Sequence, residues 1–176
     1  IAALSFLISG WLVIGYLVEH PPESRPSVSV LMRHFRREWM RQFVTRVPRI
    51  FDASIVDSLR QGTSFFASAC LIAIGGGIAV AGNPEQLQGL ASGLVHISMP
   101  IAIWQTKILL VILFLTNALL KFVWSNRLFG YCAILMAAVP NEPGDPSAFP
   151  RAEQAAQINI SAARNFNQGL SAVYFA

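Results

Sequence analysis

Residues 61–82, QGTSFFASACLIAIGGGIAVAG, contain no charged side chain. A helix needs roughly 20 apolar residues to cross a hydrocarbon core about 30 Å thick, and this stretch has that length. Residues 1–18 are also uncharged, with Trp11 and Tyr16 in their second half, and residues 101–120 hold Lys107 as their one charge. Only 12% of the chain is charged, half the roughly 25% of an average soluble domain. Too little charge is available to cover a water-facing surface, so the bilayer is the expected solvent. A secretory leader is the competing reading of residues 1–18. Against it, no basic segment precedes the apolar run and no A-x-A site precedes Glu19. The chain opens on Ile1 inside one apolar run and closes on SAVYFA at the start of another, which reads as part of a longer protein.

The expected fold class is therefore all-α: a polytopic transmembrane helical bundle with amphipathic cytoplasmic helices, forming a single membrane domain. Three full spans fall at about 1–18, 61–82 and 101–124, and a fourth begins at about 170. A continuous helix from 101 to 139 would run roughly 58 Å at 1.5 Å per residue, so its end should project beyond the bilayer or bend along it. Between the first two spans, SVSVLMRHFRREWMRQFV reads as an amphipathic helix, with Leu31, Phe35, Trp39 and Phe43 on one face and Arg33, Arg37 and Arg41 on another. Ser27 or Ser29 is placed to cap it. VPNEPGDPSAFP breaks the chain with four prolines, and an Ala- and Gln-rich helix follows.

Basic residues set the orientation. Of 13 Lys and Arg, eight lie in 19–60 and none in 83–100. The excess marks the cytoplasmic side, placing 19–60 and 125–169 inside and 83–100 outside a cell membrane. The net charge of +4 is juxtamembrane and meets anionic lipid headgroups, so membrane lipids are the expected partners and nucleic acid is not.

Gly75, Gly76 and Gly77 lack the G-x-G-x-x-G order and the strand that a dinucleotide turn needs, and Asn83-Pro84 follow where a phosphate loop needs Lys and Ser or Thr. Helices in lipid instead associate where small residues let backbones approach. Ser64, Ser68, Gly75, Gly77, Ala79 and Ala81 are accordingly expected to form one packing seam, with a homo-oligomer or larger membrane complex as its wider use. A helix break at the glycines marking a substrate site is the alternative.

Lys107, Asn117 and Lys121 fall within one sector about 80° wide on a helix. Either they line a path for a small anion, or the two lysines snorkel to opposite interfaces while Asn117 bonds to a neighbouring helix. Cys70 and Cys132 read as small buried hydrophobes. The three histidines have no metal-ligand spacing, and neither a carboxylate pair in a span nor a nucleophile motif is present. No cofactor, metal or enzymatic activity is expected.

IVDSLRQGTSFFAS, KILLVILFLTNALLKFVWSNR and NISAARNFNQGLSAVYFA resemble segments of the domain of unknown function 599 family, integral membrane proteins of bacteria and plants. The resemblance covers most of 52–176. It implies an α-helical protein of about four spans with no established activity, and it supplies no catalytic residues. It draws attention to Arg60, Arg127 and Arg164, expected on the cytoplasmic side near helix ends. Two roles are open for them: a cluster that binds a lipid headgroup or another anion, and capping of helix C-termini that locks the bundle. The functional reading is a non-enzymatic structural or accessory membrane protein, with a small-anion channel or transporter as the alternative and a membrane enzyme as a distant third.

Overall fold

The computed structural model describes residues 2–22, 24–83, 89 and 100–176. Five helices appear among them, with no strand: α1 (Ala2–Glu19), α2 (Val28–Thr45), α3 (Ile50–Ala81), α4 (Ile101–Ala137) and α5 (Ala148–Tyr174). The expected external loop 83–100 lies, apart from its two ends and residue 89, outside the described residues. α3 has 32 residues and α4 has 37. Both are continuous, so α4 runs about 55 Å at 1.5 Å per residue, well beyond a hydrocarbon core. These two helices are long and apolar enough to cross a membrane, while the apolar segment Ala3–Glu19 is shorter. They account for two of the expected spans.

α4 is the central element, and α5 and α3 lie along it. Its buried stripe is Phe114, Ala118, Phe122, Ser125, Phe129, Cys132 and Met136, stepping by three and four as one face of a helix must. The facing stripe of α5 is built from small residues: Ala148, Ala152, Ala155, Ala156, Asn159, Ala162, Gly169 and Ala172. Small side chains bring the two backbones close, and Ser125 Oγ donates directly to the Ala162 carbonyl at 2.7 Å. Phe122 lies over Gly169 and packs with Phe66 of α3 and Phe166 of α5, ring centroids 5.5 and 5.4 Å away. The main small-residue seam of the molecule is therefore on α5.

The seam expected on α3 is corrected accordingly. At 100° per residue, Gly77 stands about 200° around the helix from Gly75, so the six residues never share a face. Gly77 meets Ile108 and Ile112 of α4, and the Ala81 carbonyl accepts from Gln105 at 3.3 Å. Ser64, Ser68, Gly75 and Ala79 are exposed, and of these Ser64 reaches α4, its Oγ accepting from Asn126 Nδ2 at 2.7 Å. A side chain at Gly75 would meet nothing within 4 Å.

A second core lies beyond the apolar half of α3 and α4. Met40, Phe43 and Val44 of α2 pack with Val56, Cys132, Met136, Val139 and the alanines that open α5. Two polar clamps hold it. Asp52, fully buried, accepts from Trp39 Nε1 at 2.6 Å and Arg46 Nη1 at 2.5 Å. Arg49 donates to the carbonyls of Val139 and Pro140, both at 2.8 Å, and covers the Phe43 ring. Both clamps tie the α2–α3 turn to its surroundings where water would otherwise compete. The expected aromatic face of α2 is thus divided: Trp39 and Phe43 pack inward, while Leu31 and Phe35 are exposed. Residues four apart drift by 40° per step, or about 120° from 31 to 43, so that row winds around the helix. Ser27 caps it, accepting from the Val30 N–H at 3.3 Å.

Bulk on the packed face should be destabilising and bulk on the open face should not. A Cβ at Gly169 would sit 2.7 Å from Phe122 Cε1, and one at Gly77 would sit 3.0 Å from Ile112 Cγ1. Gly169→Ala and Gly77→Leu are each expected to cost about 1–3 kcal/mol, typical of overpacking, with Gly75→Leu near neutral, read as melting temperatures in detergent. A separate effect concerns the α5 N-terminus. Asp145 accepts from the Ser147 N–H and hydroxyl, both at 2.7 Å, and these bonds hold its carboxyl below its ordinary value. A depressed folded-state value stabilises above the unfolded value and is lost as pH falls through the folded one. Wild type should therefore lose more melting temperature than Asp145→Asn between pH 6 and pH 3.

Candidate functional site

A groove of about 490 Å³ opens where α1 ends and α2 begins, against the middle of α3, α4 and α5. Its walls include Met32, Leu59, Phe129 and Phe166, and its charged residues are Glu19, Arg33, Arg36 and Arg164. Each charge is there for a local reason. Glu19 is the last residue of α1, directly after the uncharged run; Arg33 and Arg36 lie on the inward side of α2; Arg164 follows the alanine stripe of α5. Glu19 Oε2 holds two of the guanidinium groups, Arg33 Nη2 at 2.5 Å and Arg164 Nε at 3.0 Å. These pairs are the charged link from α1 to the rest of the bundle. At the rim, Asn167 Nδ2 donates to Ser29 Oγ at 3.0 Å.

Arg36 differs from its neighbours. It donates to Asn159 Oδ1, and no carboxylate among the described residues lies within ion-pair distance. Burial pulls its guanidinium below the ordinary value. Asn159, fully buried, passes the contact on, its Nδ2 lying 3.5 Å from Cys132 Sγ, which also meets the Ala155 carbonyl at 3.5 Å and Met136 Sδ at 3.8 Å. Burial likewise pushes the Cys132 thiol up, against smaller opposing effects of Asn159 and Arg36. A thiol of this kind is inert, so the chain from Arg36 to Cys132 is a positioning network.

The expected cluster of Arg60, Arg127 and Arg164 does not assemble. Arg60 lines a separate depression with Asp57, Gln61 and Asn126, and its carbonyl accepts from Asn126 Nδ2 at 3.1 Å. Arg127 turns to Tyr131, donating to its hydroxyl at 2.9 Å. Arg164 alone reaches the groove, where α2 supplies the other two arginines. The sequence does show Arg33 and Arg36 three residues apart on a helix. It does not show that this side faces α5, because Asn159 and the alanines that receive it lie over a hundred residues later.

The Lys107, Asn117 and Lys121 row shares a sector of α4, yet each has its own surroundings. Lys107 lies over the Trp104 ring, 4.9 Å from its centroid. Lys121 donates to Gln168 Oε1 of α5 at 2.8 Å. Asn117 is half-buried. Fourteen residues of helix separate the two lysines by about 21 Å, one toward each end of the apolar run. Among the described residues, no group of three or more His, Cys, Asp or Glu is placed to hold a metal ion.

In the wild type, Cys132 should react slowly with a maleimide at pH 8, because its raised value keeps it a thiol. The rate should climb only at pH well above the ordinary thiol range. Asn159→Ala uncovers the sulfur and leaves Arg36 without its acceptor. It should speed labelling and cost about 1–3 kcal/mol, the penalty of an unsatisfied buried group. A labelling time course with a parallel melt measures both.

No curated protein and no solved structure matches the chain. A family model described as a protein of unknown function, DUF599, matches residues 2–176, essentially the whole chain, in agreement with the resemblance of its three segments. With that match and the all-helical architecture together, the chain belongs to the DUF599 family.

Proposed function

We propose that this chain is a non-enzymatic, multi-pass integral membrane protein with a structural or accessory role. The observation that carries the reading is the outward side of α3 and α4. Only 6% of the most apolar window of α3 and 22% of that of α4 are buried within the chain. A core helix of a soluble protein hides such a face. Here Leu71, Ile72, Ile78, Leu109 and Leu113 stand exposed, and an apolar solvent is what suits them.

In this reading α1 is a third span and the apolar end of α5 opens a fourth. Segments 19–60 and 125–169 are cytoplasmic and 83–100 is external, following the distribution of arginine. Only the first turns of α2 lie at the inner boundary, where exposed Val28, Leu31 and Phe35 meet the headgroup region. The rest runs antiparallel along α5 and away from that boundary, from Ser29–Asn167 to Arg37–Glu153, which corrects a reading of α2 as a helix lying in the interface plane. The open face of Ser68, Gly75 and Ala79 is available to a second copy or another membrane protein, by the small-residue contact that helices in lipid favour.

Single cysteines at Gln88 and Arg25, introduced after replacing Cys70 and Cys132 by Ala, test the topology. An impermeant maleimide added to intact cells should label Gln88→Cys and leave Arg25→Cys unlabelled until the membrane is permeabilised. The reverse pattern would invert the orientation. Equal labelling of both in a soluble fraction would remove the membrane reading altogether.

A further inference from the structure

The groove brings three guanidinium groups to one carboxylate. Glu19 offsets one positive charge, so two remain without a counter-charge among the described residues. Removing a charge from water costs several kcal/mol per ion unless an opposite charge compensates it. Arg36 bears this most directly: it lines the groove, is pressed against buried Asn159, and has no carboxylate partner. An anion in the groove would meet Arg33, Arg36 and Arg164 together, and guanidinium forks suit the paired oxygens of phosphate or carboxylate.

The walls say what kind of anion. Beside the arginines the lining is Met32, Leu59, Phe129 and Phe166, surfaces that offer a small inorganic ion nothing. The level of the groove matters equally. Glu19 closes the uncharged run of α1, and Leu59 and Gly62 bracket the start of the uncharged run of α3. The charged end therefore lies at the membrane boundary, with Leu59 and Phe129 level with Arg36 and Asn159. Phe166, packed on Phe66 and Phe122, is the wall on the hydrocarbon side. A volume of about 490 Å³ is within the roughly 300–1,000 Å³ of small-molecule sites. Basic pockets between helices on the cytoplasmic side suit anionic headgroups.

We propose that this groove binds one anionic phospholipid, with its phosphate on Arg33, Arg36 and Arg164 and its acyl chains leaving past Phe166 toward the hydrocarbon. The proposal rests on the membrane reading above. Glu19 then has a second role. By holding Arg33 and Arg164 on a single oxygen, it fixes the spacing that the headgroup meets.

The test uses the whole chain purified in dodecyl maltoside. Dioleoylphosphatidylglycerol should raise the melting temperature in a saturable way, and dioleoylphosphatidylcholine and inorganic phosphate should not. Arg36→Gln should weaken the apparent affinity about tenfold, a plausible loss for a charge-assisted contact, and Arg127→Gln should leave it unchanged. Because Arg36→Gln also disturbs Asn159, a second measurement uses the wild type alone. Phosphatidylglycerol with a photoreactive acyl chain should crosslink to the peptide containing Phe166. Equal stabilisation by phosphatidylcholine, equal stabilisation by free phosphate, or crosslinks confined to the outer faces of α3 and α4 would each overturn the groove as a lipid site. An alkaline wash of vesicles separates the two readings. A chain that stays in the vesicle without lipid preference loses only the groove proposal, and a chain that washes off loses both.

Discussion

The rest of the molecule depends on the close approach of α4 and α5. Contact has to come from packing at short range, and dispersion falls steeply with a gap of even half an ångström. α5 answers with alanine and glycine along its inner face, and α4 with Phe122, Ser125 and Phe129. Phe122 over Gly169 is the tightest point. It fixes the rotation of both helices, and with it the side of α5 on which Arg164 and Asn159 appear.

α3 follows from the same arrangement. Thr63, Phe66, Cys70 and Gly77 turn to α4, spaced by three, four and seven, leaving the other side of α3 free. Beyond the apolar part of the bundle the balance changes. There Met40, Phe43 and Met136 pack against the alanines that open α5, and the second core gains from the hydrophobic effect. The Asp52 and Arg49 clamps belong to this half, where buried polar groups need partners.

The groove is a by-product of how lightly α1 and the first part of α2 are attached. Trp11 reaches Phe114 edge-on at 5.3 Å, and Glu19 reaches Arg33 and Arg164. The groove opens past the second of these, between Glu19 and the first turns of α2 on one side and α3 and α5 on the other. Charge gathers there because α1 ends, α2 begins and α5 emerges at one level.

The sequence by itself determined the helices and their approximate ends. Uncharged runs and proline breaks are local properties, and the cap of α2 was narrowed to Ser27 or Ser29, of which the structure uses Ser27. Family membership was likewise legible in three short segments. Which faces meet was decided by tertiary structure. Gly75 and Gly77 look alike in the sequence, yet one faces open space and the other Ile112, because 200° of helix separates them. The alanine spacing of α5 was visible as a pattern, but an alanine stripe gains its meaning only from the phenylalanines set against it. Arg60, Arg127 and Arg164 share a level and not a site, since level follows from distance along a helix and a site requires direction around it. That direction is fixed by packing between residues far apart in the chain, which no local reading of the residues contains.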